Sequence, residues 1–241
     1  MSLDNDASEG GRRRRSRRGT RGEGTAAPAG LRQPGWRNLM NPYDPVRVIP
    51  DEAVERIHDA SLRVLEEIGM DFLLPEARQM LKEAGADVKE GQERIRLDRG
   101  MVEEFVAKAP TEFTLHARNP ARNLRIGGNN LNFCTVASAP NASDLPGGRR
   151  SGNQADFRNF VRLGQHFNII HLFGGYPVEP VDIAPSIRHL DCLRDFVTLS
   201  DKAYTCYSLG LERNLDALEI TRIGRGISAE QLAEEPSLTT V

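Results

Sequence analysis

The feature that most constrains this chain is an almost even repeat in its second half. Short apolar runs begin at Ile169, Ala203 and Leu238, so consecutive runs start 34 and 35 residues apart, and a stretch with helical spacing precedes each one. Such runs predict strands buried on both faces, and strands that alternate with helices are typical of a parallel sheet. The even step favours a barrel over an open sheet. The predicted helices cover residues 153–167, 185–200, 212–226 and 229–234.

The segments before this repeat carry other signals. Four prolines within residues 33–50 exclude a helix there and predict an extended arm, which Trp36 and Tyr43 would anchor. Alternating segments at residues 112–117, 123–126 and 131–136 predict strands. The Gly-Gly-Asn-Asn run at residues 127–130 is a strong turn signal, so at least one hairpin is expected among them.

Three helices are predicted between this arm and the turn. They begin near residues 51, 75 and 98, and Asp51 would cap the first. Their apolar side chains recur at helical spacing and are expected to face the core. The main ones are Val54, Ile57, Val64, Ile68, Met80, Phe105 and Val106.

These patterns predict an α/β fold in three parts. Residues 1–32 form a disordered basic tail, residues 33–130 a helical and hairpin α+β region with its arm, and residues 131–241 the first part of a (βα)8 TIM barrel. An eight-stranded barrel takes about 250 residues, and no helix follows the last predicted strand. We therefore expect a truncated barrel, inactive as an enzyme on its own.

Charge and composition limit the environment and the partners. Residues 1–21 hold seven arginines against three acids, so the remainder carries a net charge of −6, although the whole chain carries −2. No stretch approaches the roughly 18 apolar residues of a membrane span. The three cysteines lack CxxC spacing, and no export signal is seen. A cytoplasmic protein without a membrane partner is expected.

Candidate binding residues follow from the barrel prediction, because loops at the C-terminal ends of barrel strands build the active-site face. The residues expected there to bind substrate are Gly174, Gly175, Tyr176, Glu179, Tyr207 and Ser208, with Thr135 and Ser138 nearby. Glu179 and the ring of Tyr176 suit a cationic substrate. His189 and Cys192 share a helix face but lack a third ligand, so no metal is expected, and no catalytic residue is assigned.

Several long blocks, in order along the chain, resemble the trimethylamine methyltransferase family. They are the stretch NIIHLFGGYPVEPVD from Asn168 to Asp182, and residues 57–69, 140–145, 156–160, 185–191, 207–210 and 223–228. The resemblance implies a (βα)8 barrel that follows an N-terminal helical region. It also implies methyl transfer from a methylated amine to the cobalt of a corrinoid, which a separate small protein carries.

The resemblance leaves the substrate open. Members of this family are about twice as long as this chain, and the pyrrolysine of the trimethylamine-specific members lies in the half absent here. Trimethylamine, glycine betaine and similar quaternary amines all remain candidate substrates. The partners implied are a corrinoid protein and a small methylated amine, and no corrinoid is expected to bind within this chain itself.

Three other functions remain open. A different barrel enzyme, such as an aldolase or a decarboxylase, needs a Schiff-base lysine or a phosphate loop at a strand end, and Lys202 lies at the wrong end. An inactive half-barrel could act as a binding or assembly module, a homo-oligomer paired through its open edge. A nucleic-acid arm is the least favoured, since no aromatic residue interleaves with the arginines.

Overall fold

The computed structural model describes residues 31–207 and 209–240. The predicted basic tail, residues 1–32, lies almost wholly outside the described residues, as do Ser208 and Val241. The chain divides into two units, residues 1–33 and 34–241. Every helix and strand of the described residues belongs to the second unit, whose short strands form five small sheets and close no barrel.

The first part of this unit is helical. Its elements in chain order are β1 (Leu39–Met40), α1 (Asp51–Arg63), β2 (Met70–Asp71), α2 (Pro75–Glu83), β3 (Asp87–Val88), β4 (Arg94–Arg96) and α3 (Arg99–Ala107). The Asp98 carboxylate caps α3 by accepting the Met101 N–H at 3.1 Å. The prediction that Asp51 caps α1 was wrong, because Asp51 is already the first helical residue and no side chain caps that helix.

The apolar side chains of these helices are mostly exposed, contrary to the prediction. Val54, Ile57 and Ile68 are each more than half exposed, and Leu62 is the buried residue of α1. The other exposed members of the predicted face are Val64, Met80, Phe105 and Val106. Periodicity identifies the face that can be buried, but burial also needs an element that covers it. No element of the described residues covers these side chains. None of the helices described has the length and hydrophobicity needed to cross a membrane.

Trp36 anchors the extended arm, but Tyr43 does not. The half-buried Trp36 ring has its centroid 5.2 Å from the guanidinium carbon of Arg122 and 6.0 Å from the centroid of the His171 ring. Tyr43 is 76% exposed, so the prediction was wrong for this residue. Trp36 is therefore the aromatic residue that anchors the arm.

The middle of the chain forms two antiparallel hairpins. β5 (Glu112–Leu115) pairs with β6 (Leu124–Gly127), β7 (Asn130–Leu131) follows, and β8 (Asn141–Asp144) pairs with β9 (Gly148–Ser151). The expectation of at least one hairpin among these segments is confirmed by β5 and β6. The turn at residues 127–130 leads into β7, which pairs with β1 of the arm rather than with β6, and Leu131 lies opposite Leu39.

The last part of the chain alternates helices with parallel strands, as the repeat predicts. Its elements are α4 (Gln154–His166), β10 (Leu172–Phe173), α5 (Arg188–Leu199), β11 (Ala203–Cys206), α6 (Leu211–Arg225), α7 (Ala229–Glu234) and β12 (Thr239–Thr240). β11 lies between β10 and β12, parallel to both. One parallel bridge from Cys134 to Leu172 adds a fourth segment beside β10. The strand predicted over residues 131–136 is reduced to this bridge because Leu131 pairs with the arm.

The core fills the space between α4, α5 and the parallel strands. Phe196 of α5 packs on Phe173 of β10 and stacks on Tyr204 of β11, with ring centroids 5.1 and 5.2 Å away. Phe157 of α4 adds an edge contact to Phe196 at 5.2 Å. All four rings are at least 95% buried. Burial of a ring of this size contributes about 2–3 kcal/mol, so this cluster holds the sheet against its helices.

The N-terminal ends of the parallel strands are closed by buried polar groups. Lys202, just before β11, donates three hydrogen bonds of 2.6–2.8 Å from its Nζ to the carbonyls of Gly164, Phe167 and Ile170. His171, just before β10, accepts the Phe133 N–H at 3.0 Å, and its other ring nitrogen lies 3.1 Å from a carbonyl of the arm. Lys202 is thus a structural group, with its three ammonium hydrogens engaged.

Candidate functional site

At the opposite ends of these strands, hydrogen bonds join Ser138, Tyr176 and Tyr207. These three residues and the adjoining Gly174 and Gly175 are here called the strand-end cluster. Gly174 to Tyr176 follow β10, and Tyr207 follows β11. The Tyr207 hydroxyl lies 2.5 Å from Ser138 Oγ and accepts the Tyr176 N–H at 3.1 Å. The Ser138 N–H donates to the Tyr176 carbonyl at 2.7 Å. The cluster therefore ties the ends of three neighbouring parallel segments together.

The two glycines allow this close approach. A Cβ on Gly174 would lie 2.7 Å from the carbonyl oxygen of Thr135, and one on Gly175 would lie 2.6 Å from the Tyr207 hydroxyl. Gly175 also has a φ of 142°, which residues with a side chain rarely adopt. Ser138 holds a left-handed φ of 54° without being glycine, a conformation that costs about 1 kcal/mol or more. Both glycines therefore serve the packing of the strand ends.

Tyr176 is turned toward the core. Its side chain is 5% exposed, and its ring meets the rings of Phe157 and Tyr207 edge-on, at centroid distances of 5.6 and 4.7 Å. The Tyr176 hydroxyl is hydrogen-bonded to the Cys192 thiol, and burial raises the pKa of both groups above their ordinary values. Tyr176 thus contributes a neutral ring to its surroundings.

A cavity of about 210 Å³, here called the strand-end cavity, lies beside the cluster. It is lined by Tyr176, Glu179, Pro185, Arg188, His189, Tyr207, Leu209 and Arg213. Its walls come from the segments that follow β10 and β11 and from the beginnings of α5 and α6. Its volume is below the roughly 300–1,000 Å³ of pockets for drug-sized ligands, so it suits a small molecule.

The Glu179 carboxylate is paired within the cavity wall. Arg188 Nη1 donates to Glu179 Oε1 at 2.7 Å, and the same guanidinium donates twice to the Ile183 carbonyl. The two charged side chains are 25% and 18% exposed, so solvent screens the pair only in part. The pair leaves this side of the cavity close to neutral.

His189 and Arg213 complete the polar wall. His189 Nε2 lies 2.8 Å from Asp216 Oδ2, and its Nδ1 is buried without a hydrogen-bond partner among the described residues. A carboxylate can only accept, so in the neutral ring Nε2 carries the proton and Nδ1 keeps its lone pair. Arg213 makes one long bond of 3.3 Å to the Pro185 carbonyl. No carboxylate of the described residues lies within ion-pair distance of Arg213.

The structure brings most of the predicted binding residues to this place. Tyr176, Glu179 and Tyr207 line the cavity. Gly174 and Gly175 lie in the adjoining cluster, and Ser208 lies outside the described residues.

Three polar residues of the cavity were not predicted as binding residues: Arg188, His189 and Arg213. Arg188 is the first residue of α5, His189 follows it, and Arg213 is the third residue of α6. In a βα unit the helix begins at the same end of the sheet at which the strand finishes. The first turn of each helix was therefore the signal that could have identified them.

The two metal-ligand candidates on α5 have separate partners. His189 binds Asp216, whereas Cys192 is buried against the Tyr176 hydroxyl. Within residues 31–207 and 209–240, no group of three or more His, Cys, Asp and Glu side chains is placed to hold a metal ion.

The cavity combines features that suit a small organic cation with others that suit an anion. Tyr207 presents a ring whose hydroxyl is fixed by two hydrogen bonds, and a fixed ring can attract a cation. Arg213 supplies donors for a carboxylate, which guanidinium groups bind well. The strand-end cavity therefore offers a contact to a positive group and another to a negative group.

Comparison with known proteins adds a family assignment. The sequence model of the trimethylamine methyltransferase (MTTB) family matches residues 11–241. A glycine betaine methyltransferase from Desulfitobacterium hafniense (strain Y51) is 37% identical over 194 residues, which are 80% of this chain and 40% of that protein. The trimethylamine methyltransferase MttB of another strain of that organism (DSM 10664 / DCB-2) is 28% identical over 138 residues, which cover 57% of this chain and 28% of the relative. The chain spans less than half the length of these curated relatives.

Proposed function

Because the chain belongs to the trimethylamine methyltransferase family, we propose that it binds a methylated amine for methyl transfer, with the strand-end cavity as its amine site. The observation that carries this proposal is the position of the cavity. It lies where two neighbouring parallel strands end, beside a tyrosine ring that two hydrogen bonds hold in place. Ligands of α/β proteins bind at the carboxyl ends of the strands.

The proposed fold is the first part of a (βα)8 barrel. The Cys134 segment, β10, β11 and β12 are neighbours in chain order, and every pairing between them is parallel. Helices connect these strands, as the repeat of βα units requires. In this proposal the strand-end cavity faces the mouth of the barrel.

The proposed substrate is a small quaternary or protonated methylamine, since the named relatives act on glycine betaine and on trimethylamine. The Tyr207 ring would hold the methylated nitrogen by a cation–π contact, which is worth roughly 0.5–2 kcal/mol. Glu179 would add little attraction, because Arg188 already neutralises it. The buried Tyr176 ring would exclude water from the inner wall.

The methyl acceptor in this proposal is the cobalt of a corrinoid that a separate protein carries, and it is therefore a co-substrate. The corrinoid supplies the nucleophile. The task of this chain is to hold the amine so that one N–CH₃ bond points out of the cavity, since orientation alone can lower a barrier by several kcal/mol. We expect this chain alone to bind amines without transferring a methyl group.

Calorimetric titration of the protein tests this site with two ligands of equal shape. Choline carries a trimethylammonium group, and 3,3-dimethylbutan-1-ol has an uncharged carbon in place of the nitrogen. A cation site predicts that choline binds about fivefold or more tightly than its neutral counterpart, because about 1 kcal/mol of cation–π attraction is lost.

A ring substitution locates the site. Tyr207→Leu should weaken choline binding, whereas Tyr43→Leu should leave it unchanged, because Tyr43 lies exposed on the arm. Equal binding of the two ligands, or no binding of either, would refute the proposed amine site.

A further inference from the structure

Arg213 stands out among the charged groups of the strand-end cavity. Arg188 is paired with Glu179 at 2.7 Å, and His189 is hydrogen-bonded to the Asp216 carboxylate at 2.8 Å. Arg213 has one weak bond to a backbone carbonyl and no ion pair with any residue that the structure describes. The wall of the cavity thus carries one cationic side chain that has no ion-pair partner in the described part of the chain.

The position of Arg213 within its helix is also unfavourable for a positive charge. It is the third residue of α6, and the partial positive charge of a helix N-terminus disfavours a cation there. An arginine at this position does not improve the stability of the helix. A side chain placed against local preference at the wall of a cavity is often kept for ligand binding.

The other polar groups of the cavity wall offer nothing to an anion. Glu179 is a carboxylate that is already paired with Arg188, and His189 Nε2 is hydrogen-bonded to Asp216. A ligand with both charges would therefore place its negative end at Arg213 and its positive end against the Tyr207 ring.

We propose that Arg213 is a specificity-determining residue that selects methylated amines bearing a carboxylate by binding this carboxylate. The inference rests on the proposed function, because it concerns the same cavity. It distinguishes zwitterions such as glycine betaine from simple cations such as trimethylamine or choline. A guanidinium can form two parallel hydrogen bonds to one carboxylate.

The test compares glycine betaine with choline, which keeps the trimethylammonium group and replaces the carboxylate by a hydroxymethyl group. Calorimetric Kd values are measured for the wild type, Arg213→Gln and Arg213→Lys. Arg162→Gln is the control, because Arg162 is exposed on α4 and binds only Asn159 among the described residues. The readout is the ratio of the two Kd values, which a partly unfolded sample does not change.

We expect the wild type to prefer glycine betaine and Arg213→Gln to lose about tenfold or more of its affinity for that ligand. Choline affinity should rise slightly in the same variant, because a nearby positive charge is gone. Arg213→Lys should fall between the two, since lysine keeps the charge but not the paired hydrogen bonds. Arg162→Gln should match the wild type.

Two results would overturn the inference. If Arg213→Gln weakens the binding of both ligands equally, or of neither, Arg213 does not bind the carboxylate. The proposed amine site is not affected by that result. If neither ligand binds to the wild type, the proposed function fails first, and the inference fails with it.

Discussion

The Tyr207 hydroxyl lies 2.5 Å from Ser138 Oγ, although 69 positions separate the two residues in the chain. The same hydroxyl accepts the Tyr176 N–H, so one oxygen joins three segments that follow parallel strands. This contact fixes the ring proposed to bind the amine. Its removal should therefore affect both stability and ligand binding.

Tyr207→Phe should lower the free energy of unfolding by about 1–2 kcal/mol, because two hydrogen bonds are lost and the Tyr176 N–H loses its acceptor. Urea denaturation measures the change. Tyr43→Phe is the matched control, and it should have no effect, since Tyr43 is 76% exposed. Combined with Ser138→Ala, the effects should be less than additive. Full additivity would show that the two hydroxyls do not interact.

Gly175→Ala should destabilise the protein by about 2–4 kcal/mol, since strain at positive φ and steric crowding act together. The added Cβ would meet the Tyr207 hydroxyl at 2.6 Å and Ala137 Cβ at 2.8 Å. Gly226 has a positive φ of 68°, and an added Cβ there would meet no atom within 4 Å. Gly226→Ala should therefore show the loss of stability that backbone strain causes without crowding. Gly35→Ala has neither cause and should stay within about 0.5 kcal/mol of the wild type. A Gly175→Ala protein as stable as Gly35→Ala would contradict the close packing of the strand ends.

Lys202→Met should cost about 2–4 kcal/mol of unfolding free energy, because three carbonyls that are buried or partly buried each lose a hydrogen bond. Lys82→Met, at an exposed position of α2, is the control. Urea denaturation of the three proteins gives the comparison. A loss no larger than that of the control would show that the three bonds contribute nothing net.

The contribution of Lys202 should also depend on pH. Burial lowers the pKa of Lys202 to about 8, from an ordinary value of 10.5. Between these values the unfolded chain holds the proton and the folded chain does not, so stability from this group rises with pH in that window. The stability of the wild type relative to Lys202→Met should therefore increase from about pH 8 to 10. A flat difference would rule out a depressed pKa.

Arg188→Gln should strengthen choline binding about threefold to tenfold, because it leaves the Glu179 carboxylate unpaired at the cavity wall. Glu179→Gln should act in the opposite direction, since it leaves Arg188 as an unpaired cation. Calorimetric titration of both variants with choline shows whether each substitution raises or lowers the affinity. Changes of the same sign would show that the pair does not set the charge of the cavity.

The periodic second half of the fold was predictable because its signals are local. The helix predicted over residues 153–167 is observed as Gln154–His166, and the Asn153 side chain caps it by accepting the Asp156 N–H at 2.9 Å. The partner of the strand after residues 127–130 could not be predicted, because this partner is the arm residue Leu39, which is distant in the chain. The prediction that the apolar faces of α1 to α3 are buried failed for a similar reason, because burial depends on which element covers a helix.

The candidate site was predictable only in outline. Strand-end position identified Tyr176, Glu179 and Tyr207, because parallel strands bring their ends to one face. The pairing of Glu179 with Arg188 could not be foreseen, since it depends on how the loop after β10 folds back on α5. The sequence also does not show that Arg213 lacks an ion pair, because a sequence does not identify the partner of any arginine.

Substitutions at the two ends of the parallel strands should differ in how strongly they disturb folding. At one end, Lys202 and His171 have their polar atoms engaged with the backbone, and a change there disturbs folding. At the other end, Arg213 makes one long hydrogen bond and holds the fold together very little. A library of substitutions at position 213 would therefore explore new amine preferences while most of its members remain folded.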